Sequence, residues 1–195
     1  MKKYIIIALL TVSAFALKAQ EGTMFFVDYN VAMPLGGTAD FTNNISPRGV
    51  DFETQTFITE DLTVGLGIGW NLFRQKISDE TFYYEDLTIT GTQFRYTNIV
   101  PITVNVKKFF MNNGDYLPFV GVGLGTSYNE MRNEIGVFQL TDDKWLFSVA
   151  PEIGMLYDMN YKSFLSLKLK YNYSPKSGNF ASMSYLSLGV GIGLK

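Results

Sequence analysis

Seven charged residues stand out because of where they fall: Asp28, Arg95, Lys107, Glu152, Lys168 and Lys170 lie in segments that alternate in residue type, and Glu53 lies in a less regular one. In the alternating segments each charge shares its parity with Gly, Ser, Thr or Asn, opposite a row of aliphatic and aromatic residues. A period of two is that of a strand with two unlike faces. Three acids and four bases nearly balance, as ion pairs filling a low-dielectric interior must. The same groups would also suit the lining of a narrow conductive or gated path, and the network is the preferred reading.

Other chemistry is poorly provided for. The chain has no His, which removes Ser-His hydrolysis and His-ligated metal together, so neither an enzyme nor a cofactor is expected. Gly121-x-Gly123-x-Gly125 and Gly189-x-Gly191-x-Gly193 alternate strictly. They belong to strands, with no following helix to hold a phosphate. The most distinctive exposed segment is Ser78-Asp79-Glu80-Thr81-Phe82-Tyr83-Tyr84-Glu85-Asp86. Its carboxylates could hold a divalent cation and its aromatics could meet a partner, but a solvated loop is the preferred reading.

The elements that must position the charges are eight strands, taken in order along the chain. The first, Thr23 to Met33, sets Phe25, Val27, Tyr29, Val31 and Met33 against Met24, Phe26, Asp28, Asn30 and Ala32. A polar loop, PLGGTADFTNNISPRG, precedes a second strand at about 50–59, with Glu53 and Gln55 expected inward. The third runs from Leu62 to Phe73, with apolar residues opposite Thr63, Gly65, Gly67, Gly69 and Asn71. Residues 74–91 read as a long loop with strand extensions at its ends. Strands four and five form a hairpin from Phe94 to Tyr128 around the short MNNGD, and 129–143 reads as another long loop. Lys144 to Tyr157, Leu165 to Tyr173 and Leu186 to the end complete the set. Connections alternate long and short, so short turns gather at one end.

Strands of roughly ten residues match a tilted membrane strand. The rival architecture is a soluble carrier barrel with its apolar row inside, as in lipocalins. Glycine decides against it: a water-facing strand surface gains nothing from so much Gly, whereas in a narrow barrel small residues clear space for long charged side chains. On the hairpin, Gly121, Gly123 and Gly125 are expected to clear space for Lys107, Glu152 and Lys168. The apolar row also carries Trp70, Phe94, Tyr96, Tyr128, Trp145, Tyr157, Tyr171 and Tyr173 towards strand ends, as interfacial girdles do.

Residues 1–19 read as a secretory signal: Lys2 and Lys3, an apolar run, and Ala19-Gln20 as the cleavage point. Without Lys2, Lys3 and Lys18, 13 basic and 18 acidic residues remain, a net charge of −5. That argues against nucleic acid and against binding anionic lipid through a generally basic surface. Zero Cys leaves the sheet and its packing to hold an exported domain, 20–195, together.

Five segments in this order resemble the outer-membrane β-barrel domain family, of small OmpA-, OmpX- and OmpW-like barrels: TEDLTVGLGIGW (59–70), RYTNIVPITVNVKKFF (95–110), LPFVGVGLG (117–125), VAPEIGMLYDM (149–159) and SLGVGIGLK (187–195). The LKAQ ending of the signal resembles exports of the Bacteroidetes group. The resemblance implies the outer membrane of a Gram-negative bacterium, contact with its lipid and lipopolysaccharide, and insertion by the barrel-assembly machinery. Such barrels commonly end in an aromatic residue used in assembly; this chain ends Gly193-Leu194-Lys195. The expected fold is all-β: an eight-stranded antiparallel up-and-down transmembrane β-barrel with short periplasmic turns and longer extracellular loops. The expected protein is monomeric, with a structural or surface-interaction role and an unidentified surface partner. The alternative is a narrow channel or transporter for small or hydrophobic molecules.

Overall fold

The computed structural model describes residues 22–84, 87–110, 114–136, 138–160 and 162–195. The expected signal peptide, Met111–Asn113 of the MNNGD turn, and Glu85 and Asp86 of the acidic segment lie outside them. Eight strands, β1 (Thr23–Leu35), β2 (Ser46–Phe57), β3 (Leu62–Tyr84), β4 (Leu87–Phe109), β5 (Tyr116–Ile135), β6 (Phe138–Asn160), β7 (Ser163–Ser174) and β8 (Met183–Leu194), form a closed barrel. Every neighbour pair is antiparallel, and β1 closes on β8 through Phe25↔Leu194 to Leu35↔Ser184. Closure removes the unpaired edges that an open sheet would expose.

Alternation decides which face is inside. In β1, Phe25, Val27, Tyr29, Val31 and Met33 are exposed, while Met24, Phe26, Asp28, Asn30 and Ala32 are buried. The same division puts Leu66, Ile68, Val104, Val122, Leu167 and Val190 on the outer surface. An apolar belt continuous around the barrel suits hydrocarbon, where every backbone polar group must be paired internally. Pro101 and Pro151 lack a backbone N–H, and at each the ladder is interrupted on one side: β3–β4 pairing skips from Ile68↔Ile102 to Asn71↔Ile99, and β6–β7 pairing from Val149↔Tyr173 to Glu152↔Lys170.

The connections differ from the expected pattern. At one end, the turn end, β2–β3, β4–β5 and β6–β7 are joined by short connections, as expected. At the other, the loop end, residues 74–84, 87–93 and 129–143 are mostly strand and not loop. Phe73↔Thr97 continues through Ile77↔Gln93 and, after a bulge, to Tyr84↔Leu87. Asn129↔Lys144 continues to Ile135↔Phe138. Strands β3–β6 therefore rise beyond the barrel rim as one sheet, β3 running roughly 40 Å past Leu72 along its own direction at ~3.3 Å per residue.

The PLGGTADF stretch also departs from a plain loop, because Gly36–Phe41 forms a short helix, α1. It packs against β8, β1 and β4, so it lies across the mouth at the loop end. Thr38 Oγ1 accepts the Ser184 N–H at 2.9 Å, and the Thr42 and Thr97 hydroxyls meet at 2.8 Å.

Candidate functional site

The lumen is built in three layers. At the turn end, Met24, Phe26, Phe109, Phe119, Leu156 and Phe164 form a buried apolar cluster, with Phe57 and Leu117 against it. Phe109 links the rings by tilted contacts, 5.7 Å from Phe57 and 5.4 Å from Phe119. At the loop end, Ala32, Phe73, Ile99, Leu146, Phe180, Met183 and Tyr185 form a second. The lumen expected to be filled by polar and charged side chains also takes large apolar ones on the inward parity, and these gather at both ends.

Between the plugs lies one connected set of charges. Lys107 Nζ is 2.7 Å from Glu53 Oε1 and 3.0 Å from Glu152 Oε1. Lys168 Nζ reaches Asp28 Oδ2 at 2.8 Å, Glu53 Oε2 at 3.4 Å and Asp51 Oδ2 at 3.5 Å. Lys170 Nζ pairs with Asp51 Oδ2 at 2.8 Å. Neutral groups complete Glu53: Asn105 Nδ2 donates to Oε1 at 3.1 Å, and Gln55 Nε2 donates to the same oxygen while Gln55 Oε1 accepts from Thr63 Oγ1 at 2.7 Å. Lys107 Nζ also lies 4.7 Å from the Phe119 centroid, so the turn-end plug and the network share a cation–π contact.

Six of the seven charges singled out in the sequence meet here: Asp28, Glu53, Lys107, Glu152, Lys168 and Lys170. Arg95 does not. It lies twelve residues from Lys107 on β4, about 40 Å away along the strand at ~3.3 Å per residue. There its guanidinium sits 5.5 Å over Phe41 of α1 and donates to Gln93 Oε1 at 3.4 Å. Asp51 takes its place. This residue shares the parity of Glu53 and Gln55, and that alone would have found it. The balance is therefore four carboxylates against three ammonium groups, the reverse of the expected one.

Glycine makes the crossings possible, but on the hairpin only Gly121 clears space for the expected charges: Gly123 faces Asn105 and Thr103, Gly125 faces the backbone of Ile102 and Thr103, and Lys168 runs beside Gly189 of β8. A Cβ on Gly121 would stand 2.9 Å from Lys107 Cγ and 3.1 Å from Glu152 Oε1. One on Gly191 would stand 2.5 Å from Asp28 Oδ1 and 2.6 Å from its Cα. A lumen cavity of ≈ 10 Å³, bordered by Asp51, Glu53, Pro101, Thr103 and Lys170, holds about one water.

Outside the barrel, the aromatic side chains fall into two rows. Tyr116 and Tyr157 pair at 5.1 Å near the turn end, and Tyr128 and Trp145 at 5.4 Å nearer the loop end, on the level of Val100. Trp70 donates its indole N–H to Asn98 Oδ1 at 2.6 Å.

No family model and no curated protein sequence matches the chain. Solved structures do resemble it. Neisserial surface protein A (NspA) superposes with a TM-score of 0.61 at 14% identity, over 90% of this chain and 97% of that one. Ail, the attachment invasion locus protein of Yersinia pestis, gives 0.55 at 10%, over 90% and 99%. The outer membrane protein OprG of Pseudomonas aeruginosa gives 0.52 at 12%, over 89% and 95%. The chain has the fold of small outer-membrane barrels.

Proposed function

We propose that this chain is an outer-membrane barrel of structural and surface-interaction role, whose lumen is sealed and whose β3–β6 sheet stands outside the cell. The observation that carries this reading is the layered lumen: an ion-pair network closed above and below by apolar clusters. A conducting path needs continuous water, and the room between Asp51, Glu53 and Lys170 is about that of one water. The binding capacity then lies on the surface that extends furthest, the sheet formed by the upper parts of β3–β6. Names given to similar structures, a surface protein and an attachment protein, are consistent with that role. The channel or transporter alternative has no comparable support. Its test is planar-bilayer recording of the refolded barrel. Baseline current without discrete steps is expected, and steps that disappear on Glu152→Gln would favour transport.

A further inference from the structure

Above the Tyr128–Trp145 row, on the same outward face, three cations rest on two aromatic rings. Arg74 Cζ lies 5.2 Å from the Phe94 centroid and 5.7 Å from that of Tyr96. Lys76 Nζ lies 6.0 Å from Phe94, and Arg132 Cζ 4.9 Å from Tyr96. The register explains the grouping: Arg74 is opposite Tyr96, Tyr96 is opposite Arg132, and Lys76 is opposite Phe94. Three neighbouring strands thus bring their outward side chains into one patch.

Its height matters. Arg74 follows Trp70 by four residues on the same face, about 13 Å along a strand at ~3.3 Å per residue, or roughly 10 Å above the aromatic row at a tilt near 40°. Aromatic belts mark the hydrocarbon boundary, so the cations stand at the level of lipid headgroups. The chain as a whole is acidic without residues 1–19, and this stretch gathers three cations, with Glu134 opposite Phe94 and Glu130 two residues from Arg132 as the nearby carboxylates of β5. Arg132 Nε is 3.4 Å from Glu134 Oε1, with both side chains about one-third exposed. Among the residues whose side chains the structure describes, which leaves out 79–90, no carboxylate lies within ion-pair distance of Arg74 or Lys76. The rings lie under the Arg74 and Arg132 guanidinium groups, and apart from Arg132 Nε, which faces Glu134, no ion pair with a described side chain occupies their donor edges. Such edges match the oxygens of phosphate.

We infer that Arg74, Lys76 and Arg132, held on Phe94 and Tyr96, bind the phosphate of an outer-leaflet lipid headgroup. The inference rests on the proposed orientation, with the β3–β6 sheet outside. It names a lipid partner and an address for it. Bisphosphoryl lipid A, the same lipid stripped of phosphate, and inorganic phosphate are the probes, titrated against the folded barrel in detergent with native mass spectrometry as readout. The wild type is expected to prefer the bisphosphoryl lipid by about tenfold, the equivalent of one charge-assisted contact. Arg74→Gln/Lys76→Gln/Arg132→Gln is expected to lose that preference while still shifting on gels when boiled. Lys108→Gln, an exposed lysine at the turn end, should keep it, and millimolar inorganic phosphate should not displace the lipid. Equal binding of both lipids, a preference surviving in the triple variant, or displacement by inorganic phosphate would overturn the inference. If the triple variant does not fold, Arg74→Gln and Lys76→Gln are read singly; each should lower the preference, and no change in either contradicts the site. Surface labelling of the sheet tests the orientation separately, so a failure of either is recognisable.

Discussion

Lys168 of β7 and Asp28 of β1 meet at 2.8 Å across β8, the strand between them. Both are almost wholly buried, and the same ammonium group also faces Asp51 and Glu53. Lys168 is therefore the junction of the network. Lys168→Met should leave three carboxylates short of a cation and cost about 3–5 kcal/mol, the usual penalty for breaking a buried pair from one side. The measurement is the urea midpoint of the folded barrel in lipid. Asp28→Asn should cost less, and the double variant less than the two single costs combined. A midpoint unchanged by Lys168→Met would show that the network does not hold the barrel.

Gly191 supplies the clearance that lets this pair form. Gly191→Ala places a methyl group against Asp28 and should destabilise by about 1–3 kcal/mol, as overpacking does. Urea unfolding beside Gly91→Ala separates this crowding from a general effect of losing glycine, since a Cβ on Gly91 would meet nothing within 4 Å.

Phe119 ties the turn-end plug to the charges above it. Phe119→Ala should cost about 3–5 kcal/mol through the cavity it leaves. Phe119→Leu should cost less than half as much, since it keeps most of the volume and loses the ring facing Lys107. Equal losses for the two variants would mean that the cation–π contact, not the packing, dominates.

The upper β3–β4 hairpin should be dispensable for folding. Lys76 is paired with Phe94, so replacing residues 77–93 by Asn-Gly supplies a two-residue turn of the favoured kind. The shortened chain is expected to remain heat-modifiable on gels, with a urea midpoint close to that of the full chain. An unfolded product would show that the extension is part of the barrel's core.

What the sequence made legible follows from physics that alternation can report. Within the belt, one face meets lipid and the other the lumen, so Phe25 and Asp28 differ in type and the strand is plain. Above the rim the inward face carries polar residues too, Gln93, Asn129 and Asn133 among them, all buried. Polar residues then occupy both parities, and 74–84 and 129–143 lose the signal while keeping the hydrogen bonds. Parity also fixes a side chain's face without fixing its depth. Arg95 and Lys107 share a face, yet one lies beside α1 and the other beside Glu53. Asp51 is hard to read from sequence because β2 alternates weakly, with Thr54 and Thr56 outward where other strands carry aliphatics. The helix Gly36–Phe41 is too short, and too rich in glycine, to show a helical period.

β3–β6 are expected to rise on the outer side of a sealed membrane barrel. The chain has no Cys, so a single introduced thiol reports its own location. Gln139→Cys, exposed on the upper part of β6, should react with a membrane-impermeant maleimide on intact cells. Glu60→Cys, in the β2–β3 turn, should react only after the outer membrane is permeabilised. Labelling of Glu60→Cys on intact cells while Gln139→Cys stays protected would contradict the account.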